Sequence, residues 1–174
     1  MYARVTPASH DATGSIAIEP SPSGRGFRLD ASQFLPCDRE QIFEFFADAF
    51  QLETLTPSFL RFKVLTEPPI DLAAGTLIDY RLRIRGLPIH WQSCISVWEP
   101  PQRFVDEQIR GPYRRWHHEH SFESCDGGTL CRDVVDYEVY GGALVHWLIV
   151  RGDLLKIFHF RHRKLRELFP ALDV

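Results

Sequence analysis

Residues 143–169 read ALVHWLIVRGDLLKIFHFRHRKLRELF, and the next residue is Pro170. Leu144, Leu148, Leu155, Phe158, Leu165 and Phe169 recur at helical spacing with no proline between them, which predicts one amphipathic helix ended by Pro170. A helix of about 25 residues spans nearly 40 Å. Gly152 inside it marks a bend or a close approach. A helix of this length needs an apolar surface of similar length to cover.

The sequence upstream supplies that surface, because its period is two. Thr76–Arg85 puts Ile78, Tyr80, Leu82 and Ile84 on one face and Asp79, Arg81, Arg83 and Arg85 on the other. Ile89–Glu99, Arg103–Ile109, Tyr113–Glu123 and Thr129–Val139 follow as strands, broken by Glu99-Pro100-Pro101, Gly111-Pro112 and Asp126-Gly127-Gly128. Phe27–Leu35 predicts a first strand and Arg61–Thr66 a short one. Between these, Ile42, Phe43, Phe46 and Phe50 predict a helix over Arg39–Ala47, with a further turn or two from Phe50 to Leu55 stopped by Pro57. Asp38 and Gln41 have the spacing of a capping box. The expected fold is α+β: a curved antiparallel sheet of six or seven strands wrapped around the C-terminal helix, with two short helices after the first strand. A cavity is expected between sheet and helix.

Composition bounds the function. The 174 residues amount to one domain, 44% hydrophobic and 25% charged. No stretch reaches the ~20 apolar residues of a membrane span. A net charge of −3 gives no global positive field for nucleic acid. Residues 1–25, rich in Ser, Thr, Pro, Gly and Ala, read as a flexible tail, with the folded domain over 26–170. Cys37, Cys94, Cys125 and Cys131 form no CxxC pair and read as free thiols of a cytoplasmic protein. Phosphate-loop, dinucleotide, nucleophile-elbow and zincin motifs are absent from the sequence.

Several motifs resemble the START/Bet v 1-like (SRPBCC) superfamily and its bacterial polyketide cyclase/dehydrase-like group. They include Leu35-Pro36 with Ile42-Phe43, Leu55-Thr56-Pro57, Gly75-Thr76 with Asp79-Tyr80-Arg81-Leu82, and Trp98-Glu99-Pro100-Pro101. Arg103-Phe104-Val105-Asp106-Glu107-Gln108, Gly111-Pro112-Tyr113 with Trp116-His117-His118, and Gly127-Gly128-Thr129 with Asp133 and Tyr137 complete them. The resemblance covers about Phe27 to Phe169 and implies the helix-grip fold with an apolar ligand held between sheet and helix. It does not fix a function, since the superfamily includes carriers, receptors and cyclases.

The strand Tyr113–Glu123 carries the chemistry. Trp116, His118, His120 and Phe122 share one face, expected inward. Phe104, Asp106 and Gln108 share a face on the preceding strand, as do Cys131, Asp133, Val135 and Tyr137 on the following one. Two imidazoles, two carboxylates and an amide are therefore expected at one end of an aromatic cavity. The expected wall is Phe46, Tyr80, Trp91, Phe104, Trp116, Phe122, Tyr137, Leu148, Leu155 and Phe158, with Gln108 at the polar end.

Three readings of the polar end stay open. His118 and His120 could ligate a metal with Asp106 or Asp133, though the resemblance implies none and no cofactor is expected. They could act as acid–base groups oriented by Asp133 or Asp106 in cyclisation or dehydration. They could also be paired buried groups that shape a binding site. The expected function is binding a small hydrophobic or lipid-like molecule; the alternatives are a cyclase/dehydratase-type enzyme and a peripheral membrane or partner contact through the basic segment Lys156–Arg166. In that segment the charges, Arg161 among them, read as the solvent face of the helix.

Overall fold

The computed structural model describes residues 14–171. Eight antiparallel strands form one sheet: β1 (Ser15–Pro20), β2 (Phe27–Leu35), β3 (Lys63–Val64), β4 (Leu77–Ile84), β5 (Leu87–Glu99), β6 (Arg103–Arg110), β7 (Tyr113–Cys125) and β8 (Gly128–Val139). Their order is β1-β2-β8-β7-β6-β5-β4-β3, so the first long strand closes against the last. Between β2 and β3 lie α1 (Arg39–Ala47), α2 (Gln51–Thr54) and a 3-10 turn at Ser58–Leu60. After β8 come α3 (Gly142–Val145), a π-helical turn over His146–Val150 and α4 (Arg151–Leu168). The expected α+β helix-grip arrangement is present, with α1 over the residues the sequence predicts.

Three expectations change. The tail of residues 1–25 does not hold for Ser15–Pro20, which is the edge strand β1; Ile16 and Ile18 alternate with Ala17 and Glu19 and pair onto Ala31 and Leu29. Residues 1–13 lie outside the described residues. Asp38 makes no side-chain cap on α1; Gln41 instead accepts a hydrogen bond from the Cys37 thiol at 2.9 Å. Leu148 is no cavity wall: it is 72% exposed. A π turn inserts an extra residue, which rotates the phase by about 100°. The inward stripe is therefore His146, Leu154, Phe158 and Leu165, and Leu144 and Leu148 face outward.

Two clusters hold α4 and the helices to the sheet. Phe43 fills one, its ring 5.1, 5.6 and 6.1 Å from those of Trp98, Phe122 and Phe104. In the other, Ile18, Leu29, Val135 and Tyr137 meet Leu154 and Phe158. The β1–β2 turn ends at Gly26 (φ +70°), where a Cβ would lie 2.2 Å from the Tyr137 carbonyl oxygen. Arg85 and Gly86 both take positive φ and form the two-residue β4–β5 hairpin. From its tip Arg85 reaches Asp153 of α4 at 3.2 Å.

Candidate functional site

Between the clusters lies a cavity of about 690 Å³, within the usual range for small-molecule sites, roughly 300–1,000 Å³. Of the expected wall, Phe46, Tyr80, Trp91, Phe104, Trp116 and Phe158 line it. Leu52, Leu60, Phe62 and Leu72, from α2 and the connections around β3, add apolar wall that the sequence did not single out. Tyr140 and the Arg85–Asp153 pair are also part of the lining, near the β4–β5 hairpin and the N-terminal end of α4.

Besides Leu148 and Asp133, four expected wall or polar-end residues do not line the cavity. Phe122 is buried beneath the cavity floor against Phe43 and Phe46. Tyr137 is buried behind the π turn, its hydroxyl 3.3 Å from His146 Nδ1. Leu155 packs on the β1–β2 side of α4. Gln108 turns to the β6–β7 hairpin, where its amide donates to the Tyr113 carbonyl at 2.7 Å and accepts from the Tyr113 amide at 3.2 Å. At a strand end, two free backbone groups compete for the amide and win.

The inward alternation of β6, β7 and β8 brings the expected charged residues together. Asp106 sits opposite His118, and His120 opposite Asp133. His118 Nε2 is 2.9 Å from Asp133 Oδ1, and its Nδ1 is 3.4 Å from Asp106 Oδ2. His120 Nε2 is 3.1 Å from the same Asp106 oxygen. His120 Nδ1 is 2.7 Å from Asp133 Oδ1, outside hydrogen-bond geometry. The two rings lie 3.8 Å apart. Asp106 Oδ1 accepts from the Ser93 hydroxyl at 3.4 Å, and that hydroxyl accepts from Trp91 Nε1 at 3.0 Å. His118, His120 and Asp106 line the cavity; Asp133 lies behind them.

The fifth member is Arg161 of α4, which is buried, with Nη1 3.2 Å from Asp133 Oδ1. By its charge alone it is expected on the solvent face of the helix, and the structure buries it. Its spacing from Phe158 and Leu165, three and four residues away, was the signal that it belongs to the inward stripe. Near it on the basic segment, His162 is buried too, and Lys164 is paired with Glu167 at 2.8 Å.

Charge balance explains the cluster. Burial, then repulsion from His120, depresses the His118 imidazole to about 4. Burial also works against the charged His120, but the Asp133 and Asp106 carboxylates outweigh it and raise its affinity for a proton. Burial pushes both carboxyls up, yet His120 and Arg161 reverse this, and Asp133 stays well below the ordinary carboxylate value. Arg161 offsets one of the two carboxylates, and a proton on His120, which both carboxylates favour, offsets the other. Burial pushes the Cys131 thiol and the Tyr80 phenol far above their usual values.

A cavity lined by aromatic side chains, with convergent imidazoles and a carboxylate, sits beneath a long C-terminal helix. Residues 35–155 match the sequence profile of the polyketide cyclase / dehydrase and lipid transport family. The chain belongs to this family. Solved structures agree on the fold. Protein Ms6760 from Mycobacterium smegmatis aligns at 17% identity over 88% of this chain and 97% of its own, with a TM-score of 0.64. An Arthrobacter aurescens protein aligns at 12% identity over 90% and 95%, with a TM-score of 0.68. Major latex-like protein 151 from Panax ginseng aligns at 11% over 83% and 97%, with a TM-score of 0.61. No curated protein matches in sequence. Among the described residues, no helix is long and apolar enough to cross a membrane.

Proposed function

We propose that this protein binds a small apolar molecule that carries one polar oxygen-bearing group. The apolar body occupies the cavity, and the polar group meets Asp106, His118 and His120. One observation carries this reading: the cavity of about 690 Å³ is walled mainly by apolar side chains and has one convergent polar cluster. Desolvated imidazoles and a carboxylate would discriminate strongly in favour of a ligand that pairs with them, because an unpaired buried polar group is costly. The family's name includes lipid transport, in keeping with a carrier or sequestering role.

The test is a titration with 8-anilinonaphthalene-1-sulfonate followed by displacement with fatty acids, phenols and aromatic ketones. Saturable binding, weakened by a bulky substitution at Ile78 on the wall, supports the reading. Probe binding that ignores Ile78→Trp would contradict it.

A second reading is turnover of a carbonyl compound by acid–base chemistry. It is favoured by the position of both imidazoles on the cavity surface, with His118 hydrogen-bonded to Asp133 and His120 to Asp106. Under it, His118→Gln and His120→Gln abolish turnover while apolar binding persists. The basic segment of α4 is not part of the proposal, since Arg161 is committed to Asp133.

A further inference from the structure

We propose that Asp106, His118 and His120 bind a divalent transition-metal cation, of the zinc or iron(II) class, at the polar end of the cavity. The donor geometry carries this. Ligand atoms around an ion at about 2.0–2.2 Å stand roughly 3 Å from one another. Asp106 Oδ2 is 3.1 Å from His120 Nε2 and 3.4 Å from His118 Nδ1. All three residues offer ligand atoms within 4.8 Å of one another.

The far sides of His118 and Asp106 are also arranged as metal sites require. A ligating histidine ordinarily gives its other nitrogen to a carboxylate, which fixes the ring. Here His118 turns its second nitrogen, Nε2, to Asp133 Oδ1 at 2.9 Å in a hydrogen bond, and His120 Nδ1 lies 2.7 Å from the same oxygen without hydrogen-bond geometry. Arg161 at 3.2 Å holds that oxygen, so Asp133 supports the ligands and is not one of them. Ser93 takes the other Asp106 oxygen and leaves Oδ2 for the cation.

Two imidazoles and one carboxylate select a transition metal over magnesium or calcium, and three protein ligands leave positions open. Those positions face the cavity, because the three ligands line it and Asp133 does not. This deepens the ligand-binding reading and rests on it for what fills the open position. Asp106, Asp133 and Arg161 sum to one negative charge; a dication turns this to one positive. An anionic oxygen from the bound molecule restores neutrality, so the favoured ligand class is an apolar carboxylate, phenolate or enolate.

The test uses the full chain, stripped with a chelator, titrated with Co²⁺ and read by its visible absorption, then competed with Zn²⁺. One Co²⁺ per chain with a spectrum of nitrogen and oxygen ligation is expected. His118→Ala, His120→Ala and Asp106→Ala should each abolish it, and Asp133→Asn should weaken it by about 10–100-fold. Should a variant fail to fold, ¹⁵N NMR of the wild-type imidazoles on Zn²⁺ addition gives the same answer: His118 and His120 shift, and the surface His90 does not. No bound Co²⁺, or binding indifferent to His118→Ala and His120→Ala, overturns the metal site. Binding of 8-anilinonaphthalene-1-sulfonate is measured on the stripped protein in parallel. A bound probe without a cobalt spectrum removes the metal and leaves the cavity reading; a cobalt spectrum without probe binding does the reverse.

Discussion

Replacing Arg161 by Met removes the one permanent cation of the buried cluster while keeping most of the side chain's volume. At 3.2 Å from Asp133, Coulomb's law with an effective dielectric of about 20 gives an attraction of ~5 kcal/mol. Desolvation of the pair offsets much of that in the intact protein. The variant still leaves Asp133 buried without its cation, and breaking such a pair costs about 3–5 kcal/mol. For a chain of this size that corresponds to a fall of roughly 6–20 °C in Tm. Urea unfolding at pH 8 measures it. The double variant Arg161→Met/Asp133→Asn separates charge from packing, because it removes both partners together. It should be more stable than Arg161→Met alone by at least about 1 kcal/mol. A loss below about 1 kcal/mol for Arg161→Met, or no recovery in the double variant, would refute the charge-balance argument.

Other consequences follow from particular positions. Phe158→Ala should cost about 3–5 kcal/mol and weaken probe binding, whereas Leu148→Ala should stay within about 0.5 kcal/mol, since one side chain is buried and the other 72% exposed; equal effects by calorimetry would contradict the π-turn phase. Gly26→Ala should destabilise by about 1–3 kcal/mol, because the new Cβ meets the Tyr137 carbonyl at 2.2 Å in a positive-φ residue; urea midpoints check it. Burial depresses His162 from 6.5 to about 4. The unfolded chain therefore takes up a proton that the folded chain refuses, and stability is full above 6.5 and lost as the pH falls toward 4. Comparing pH 7.5 with pH 5, the wild type should lose about 2 kcal/mol more than His162→Asn; parallel losses would remove His162 from the account.

How much of this was legible in the sequence depends on the element. Strict alternation on β6, β7 and β8 was enough to bring Asp106, His118, His120 and Asp133 to one place, because side-chain direction in a strand follows the residue number. β1 was hidden by its neighbours: Ile16 and Ile18 alternate, but Ser, Pro and Gly on either side dominate the local composition. Arg161 was misread because residue type outweighed residue position. Leu148 could not have been placed, since nothing local in the sequence marks a π turn, and one extra residue reassigns every face beyond it. Gln108 shares its strand's inward alternation, yet the hairpin beside it took its amide.

The four tryptophans report on the interior ligand site inside one molecule. Trp91 and Trp116 line the cavity, Trp98 packs on Phe43 in the core, and Trp147 is 60% exposed. Indole N–H resonances are followed by ¹H–¹⁵N NMR while 8-anilinonaphthalene-1-sulfonate is added. Saturable shifts are expected at Trp91 and Trp116, with Trp98 and Trp147 nearly still. Shifts confined to Trp147, or none at any indole, would contradict an interior ligand site.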